Sequence, residues 1–232
     1  MIILHENLLP ESRHIRKKLK KAFGFESQIK HRNLSKAFIK IPPFGGYMQS
    51  NLIEDIVQEY NGKPVMFLTP RDLYNNDENI NDWLFGISCP QEGYSIISTA
   101  RLKRKDSVPS QKLIISKRHY MKRLELIAIH EIGHDIIYPK KNHISYPDHF
   151  KIAKWVNSNG HEQWLDPHCI DNKCIMYETV DIISPPKEEG YMKLGSIRRY
   201  DTGFDEMLRR MKPGWFCKKC KDSINIDESY FR

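Results

Sequence analysis

The sequence predicts an α/β fold built on a mixed sheet, and three observations predict it. Its first hundred residues read as strand, helix, strand, helix and then three strands; residues 65–69 form a short, wholly apolar run; and two β-rich segments, 83–88 and 94–99, are joined by a turn at 89–93. A wholly apolar strand belongs inside a sheet covered on both faces, and a hairpin-like pair at the end of such an order supplies an antiparallel edge.

Taken in order, residues 1–5 are the first strand, and residues 10–23 are a helix with Ile15, Leu19, Ala22 and Phe23 on one side, ended by Gly24. Residues 27–41 carry extended segments broken by polar residues. A loop follows at Pro42, Pro43, Gly45 and Gly46, then a helix over 49–60 in which Leu52, Ile53, Ile56 and Val57 repeat at helical spacing, stopped by Asn61-Gly62. The polar stretch 75–82 reads as a surface loop before the two β-rich segments, and 103–111 as a charged, proline-containing loop. A further helix begins near residues 117–120 and is halted by Tyr138-Pro139. Beyond it, 148–157 reads as a short helix, Ser184-Pro185-Pro186 as a break and 204–211 as a last helix.

The helix before Tyr138 carries the chemistry. In LELIAIHEIGHDII, residues 124–137, Leu124, Ile127, Ala128, Ile129, Ile132, Ile136 and Ile137 cover nearly every side, so this is a core helix bearing His130, Glu131 and His134. Imidazoles at i and i+4 project within about 40° of each other, close enough to share one metal ion at about 2.0–2.1 Å per bond. Glu131 lies about 100° round the helix, where it reaches an activated water rather than the metal. Buried polar groups need partners, and a metal is the obvious one.

Composition sets the surroundings. The net charge is +8, from 37 Lys plus Arg against 29 Asp plus Glu, and the excess clusters at 13–21, 101–105, 117–123 and 218–221. Clusters of this kind are more often solvated faces than nucleic-acid sites, and in the first of them Ile15 and Leu19 sit at the spacing of an ordinary amphipathic helix. No run approaches the roughly 18 consecutive apolar residues of a membrane span. MIILHENLLP lacks a basic leader and a small-residue cleavage site, so a cytoplasmic protein is expected. Four of the five cysteines stand in close pairs, which suits metal binding in a reducing compartment better than a disulfide framework, and Cys89 needs no function beyond packing.

A hydrolytic zinc site needs three ligands and a water, so a third residue must join the two histidines. The candidates are His143, His149, His161 and His168, or Glu162 or Glu178. Three groups of residues bear on the choice: His130-Glu131-Ile132-Gly133-His134; His168-Cys169 followed by Cys174 and Met176; and Cys217-Lys218-Lys219-Cys220. Together they resemble the archaemetzincins, metzincin-type zinc proteases with the pattern H-E-x-x-H-x-x-G-x-x-H, C-x4-C-x-M, C-x2-C. Thr69 to Leu73, Leu84-Phe85-Gly86 and Ser98 to Leu102 also look like that family's catalytic domain, so the resemblance covers most of the chain.

The resemblance implies one metzincin-like catalytic domain over residues 1–232, with a mixed five-stranded sheet, an active-site helix and a zinc-braced C-terminal part. In that division, 1–137 ends in the active-site helix, 138–163 is an insertion near the cleft, and 164–232 holds the third ligand, the Met-turn and a four-cysteine zinc region. It implies His168 as third ligand beside His130 and His134, Glu131 as general base, and Met176 as the Met-turn methionine. Cys169, Cys174, Cys217 and Cys220 would hold a second, structural zinc, making two zinc ions per chain, with Cys169 bracing His168. Tyr177 stands where some metzincins bring a tyrosine towards the metal.

The sequence departs from the pattern in two places. His168 stands 34 residues after His134 rather than six, without the intervening glycine, and 40 residues separate Met176 from Cys217 where the family has about 17. Both read as insertions. Closing the longer first loop costs about 1.5 kcal/mol more, small beside the roughly 10–16 kcal/mol that zinc supplies to structural peptides. The expected activity is hydrolysis of a peptide or protein substrate laid along the sheet's edge strand, at 83–88 or 94–99, by a monomeric enzyme without membrane or nucleic-acid partners. The 138–163 insertion would limit access to short peptides. The rival readings are a non-catalytic, zinc-stabilised protein that binds an acidic partner or nucleic acid, and an inactive protease remnant.

Overall fold

The computed structural model describes residues 1–41, 46–77, 80–90, 92–103, 116–137, 149–151, 154–156, 162–164, 168–171, 173–177 and 214–224. The expected break at Ser184-Pro185-Pro186, the helix at 204–211 and most of the loop at 103–111 lie outside these residues, as do His143, His161 and Glu178.

A five-stranded mixed sheet is the frame. Strands β1 (Ile2–His5), β2 (Gln28–His31), β5 (Val65–Thr69), β8 (Gly86–Cys89) and β9 (Tyr94–Ser98) lie in the order β2-β1-β5-β9-β8. All neighbours are parallel except β8, which runs antiparallel to β9 with Gly86 opposite Ile97, so the expected antiparallel edge is present. Alternate side chains feed two cores. Ile3, Met66, Leu68 and Ile97 face one, with helices α1 (Leu9–Phe23) and α3 (Lys117–Ile137); Ile2, Leu4, Val65, Phe67 and Ile96 face the other, with Ile53, Ile56 and Val57 of α2 (Leu52–Gln58). Burial on both faces is the reason the inner strands β1 and β5 are mostly apolar, while the edge strand β2 (Gln-Ile-Lys-His) is not.

Helix α1 ends where Gly24 takes φ 83° and its N–H closes on the Lys20 carbonyl. Helix α3 starts with an exposed, basic turn, but from Arg123 onward it is buried on nearly every side, which is why residues 124–137 are mostly apolar: 15 of its 21 residues are buried, between α1, the β8–β9 edge and the segments carrying Cys169, Met176 and Trp215. No described helix is long and apolar enough to cross a membrane.

A second sheet revises part of the sequence reading. Strands β3 (Phe38–Ile41), β4 (Gly46–Gln49), β6 (Leu73–Asp77) and β7 (Ile80–Leu84) form it in the order β3-β4-β6-β7. Gly46 therefore opens a strand rather than closing a loop, and α2 starts at Leu52, later than expected, because residues 46–49 pair with β3 and the Ser50 N–H bonds to the Ala37 carbonyl at 3.0 Å. The polar stretch 75–82 is not a loop: its ends pair across the β6–β7 hairpin from Leu73↔Leu84 to Asp77↔Ile80. The 83–88 segment is likewise two strands, since the chain changes sheets at the buried Phe85.

The helix expected over 148–157 is also absent from the described residues there. Phe150–Lys151 forms β10 against β13 (His168–Cys169), and Lys154–Val156 forms β11 against β12 (Glu162–Trp164). Cross-strand pairing with residues further along the chain overrides the local apolar spacing. The last described element is the short helix α4 (Lys218–Asp222), N-capped by the Cys217 sulfur.

Candidate metal centres

Two clusters of metal-type donors flank the C-terminal half of α3. In the first, the helix presents His130 and His134 one turn apart, and β13 brings His168 to them. The three rings are buried, at 5%, 3% and 6% exposure, and one ligand nitrogen from each lies within 4.8 Å of the others. The Nε2 atoms of His130 and His134 are 3.0 Å apart, and the His168 ring lies 5.3 and 5.1 Å from the two helical rings, centre to centre. Two nitrogens bound tetrahedrally to one zinc at about 2.0–2.1 Å stand about 3.4 Å apart, so the pair needs only a slight opening.

The proton arrangement suits a metal. His130 Nδ1 lies 2.8 Å from the Ile175 carbonyl, which can only accept; the N–H is therefore on Nδ1 and the Nε2 lone pair faces His134. Burial pulls the His130 pKa down to about 4, partly offset by that hydrogen bond. Burial, reinforced by His130 and His168, holds His134 well below the ordinary histidine value. Both rings are neutral near pH 7, the state that ligates.

Two glycines shape the same centre. A Cβ on Gly133 would sit 2.3 Å from the Met176 sulfur, so the fully buried methionine rests on the bare helix backbone between the two histidines. A Cβ on Gly86 would sit 2.6 Å from Glu131 Oε1 and 2.8 Å from its Cδ, so the Glu131 carboxyl lies over the first residue of edge strand β8. Next along the helix, the buried Asp135 accepts from Ser88 of β8 at 2.7 Å and Ser95 of β9 at 2.6 Å, which fixes α3 to the sheet edge at His134. Of these supports the sequence reading names only Met176. Gly86 and Gly133 stood within matched stretches, but neither has a local signature, and the Asp135 partners come from 40 and 47 residues away.

The second cluster brings together three of the four expected cysteines, Cys169, Cys217 and Cys220, with His149, all with ligand atoms within 4.8 Å of one another; the fourth, Cys174, adjoins it, its sulfur accepting from the Cys217 N–H at 3.4 Å. Cys169 and Cys217 sulfurs are 3.7 Å apart, close to the roughly 3.8 Å edge of a tetrahedron with 2.3 Å zinc–sulfur bonds. Hydrogen bonds from the Cys169 and Cys220 thiols draw the Cys174 pKa far down, and the same contacts push Cys169 and Cys220 up. Sulfur and imidazole donors gathered this closely fit a cation in their midst. His149, one of the residues considered for the first centre, lies here instead, its Nε2 3.4 Å from the Cys220 sulfur.

One stretch joins the clusters. His168 and Cys169 are consecutive, Cys169 N–H bonds to the Met176 carbonyl at 2.7 Å, and Ile175 N–H bonds to the Trp215 carbonyl at 2.8 Å. The Trp215 indole N–H reaches Glu125 of α3 at 3.2 Å. Cys89 stands apart at the end of β8, and Tyr177 follows Met176 with its amide on the Cys174 carbonyl.

The fold has a counterpart among solved structures. The chain is similar to a zinc-dependent peptidase from Methanocorpusculum labreanum (strain Z), with 18% identity and a TM-score of 0.58, over 97% of this chain and 99% of that one. At that identity the likeness is one of fold. No protein-family model and no curated protein matches the chain.

Proposed function

We propose that the chain is a zinc-dependent metallopeptidase of the archaemetzincin type, acting on peptide or protein substrates. The observation that carries this reading is the meeting of His130, His134 and His168 in one buried centre with Glu131 beside it. Three imidazole ligands leave one corner of a zinc tetrahedron for solvent, the pattern of a hydrolytic rather than a structural site. The fold shared with a zinc-dependent peptidase supports it further.

Zinc, when bound, supplies the Lewis acidity that brings a water's pKa to about 7 and polarises a peptide carbonyl. The chain's own residues do the rest. Glu131 takes the proton of the attacking water and passes it to the departing amine. Ile175 holds His130 in the ligating tautomer, Asp135 holds α3 at the sheet edge, and Met176 fills the space under the histidines. Strand β8 is the outermost described strand of its sheet and begins at Gly86, beside Glu131, so a substrate extended along it would pair by backbone hydrogen bonds and pass the carboxyl. Cys169, Cys174, Cys217 and Cys220 hold the second, structural zinc.

The test is Glu131→Gln, with zinc content and peptide hydrolysis measured together. Two zinc ions should remain while kcat falls by about 10²–10⁴. Hydrolysis that survives the substitution would refute the role of Glu131, and a wild-type chain that binds zinc but cleaves no peptide would favour the binding-protein reading.

A further inference from the structure

The second cluster has one donor too many. The ligand atoms of His149, Cys169, Cys217 and Cys220 lie within 4.8 Å of one another, and the Cys174 sulfur adjoins them, accepting from the Cys217 N–H at 3.4 Å. Zinc in a structural site takes four ligands. Four thiolates would leave the centre with two net negative charges in a buried place, where such charge is costly unless donors surround it.

Among the described residues, the backbone supplies such donors to three of the sulfurs. Asp171 N–H points at Cys169, Cys217 N–H at Cys174, and Cys220 N–H at Cys217, each at 3.4 Å. At the fourth sulfur, Cys220, the neighbour is His149 Nε2 at the same distance. Resting on the four-cysteine reading above, we propose that His149 donates its Nε2–H to the Cys220 thiolate and so completes the hydrogen bonding of the centre without ligating the metal.

The backbone is arranged to deliver it. The His149 carbonyl accepts from Ile170 N–H at 3.0 Å, and Phe150 and Lys151 of β10 pair with Cys169 and His168 of β13. The ring is buried at 6% exposure and lies edge-on to Phe150, 4.7 Å centre to centre. His149 thus fastens the returning end of the stretch between His134 and His168 to the thiolate centre, next to the strand that carries the third imidazole.

The experiment uses the full chain loaded with zinc or with cobalt(II), whose sulfur-to-metal charge-transfer absorption reports the cysteine centre alone. In His149→Ala the four-thiolate absorption should persist, while a chelator strips that centre about 10–100-fold more readily. His149→Gln, which keeps an N–H donor, should recover much of the difference. Unchanged chelator resistance in both variants overturns the proposal. A cobalt spectrum altered by His149→Ala and untouched by Cys174→Ser also overturns it, because His149 would then be a ligand. A wild-type chain that binds a single zinc sinks the four-cysteine reading and the proposal together.

Discussion

Gly86→Ala tests the proposed role of Glu131 as general base without touching a proposed ligand. Gly86 does not have positive φ, so alanine suits its backbone, and the obstacle is one side chain: the new Cβ would meet Glu131 Oε1, Cγ and Cδ at 2.6, 2.7 and 2.8 Å. Ordinary contact begins near 3.4 Å, so the carboxyl must retreat by 0.6–0.8 Å or β8 must shift away. A misplacement of about 1 Å at a reacting group costs roughly 10²-fold, or about 2.7 kcal/mol in the barrier. Stability should change less, because overpacking of about 1–3 kcal/mol is partly offset by about 0.4–1 kcal/mol from the stiffer unfolded chain. The assay pairs kcat on a peptide with zinc content and thermal unfolding. The expected result is two zinc ions, a modest drop in Tm and a kcat down about a hundredfold. Wild-type kcat in Gly86→Ala would refute the reasoning, and so would zinc loss as large as the activity loss.

Further outcomes follow from the same contacts. Gly133→Ala should destabilise by about 1–2 kcal/mol despite alanine's better helix propensity, because its Cβ meets the Met176 sulfur; Gly133→Ala with Met176→Ala should recover part of this in a double-mutant cycle. Asp135→Ala strands the Ser88 and Ser95 hydroxyls and should cost about 2–4 kcal/mol in urea unfolding. Burial alone would raise the Glu125 carboxyl, but His14, Lys18 and Lys122 outweigh it and hold the pKa at about 2. Its folded pKa is depressed, so its stabilisation is complete above the ordinary carboxylate value of 4.5 and is lost as pH falls towards 2. Allowing for Lys122 being half exposed, we expect wild type to exceed Glu125→Gln by about 2 kcal/mol at pH 6, with the gap closing by pH 2 in denaturant titrations.

The legible part of the chain was its interior. Residues 65–68 and most of 124–137 are apolar on every side because they are covered on every side, and that pattern needs no knowledge of neighbours. The hairpin before Tyr94 also showed in order and composition, and it became the antiparallel edge. The second sheet was hidden because its β6–β7 hairpin is rich in Asn and Asp, whose local preference is for turns, while its strands are specified by pairing. The same blindness turned β10 and β11 into a helix. At the site, the imidazoles and thiols could be read because their residue types are unusual in a core. The supports could not: a glycine is silent until its neighbour is known, and Asp135 looks like any helix carboxylate until Ser88 and Ser95 meet it. His149 was considered for the wrong centre because spacing alone does not say to which side a strand turns.

Strand β13 is two residues long, and consecutive side chains of an extended strand face opposite ways. One peptide unit therefore serves as a party wall between the two chambers, with the imidazole on one side and the thiol on the other. Whatever shifts Cys169 levers His168 across that wall, so damage to the sulfur side, for instance oxidation of its thiols, would disable the proposed hydrolytic centre without reaching the chamber that holds its imidazoles.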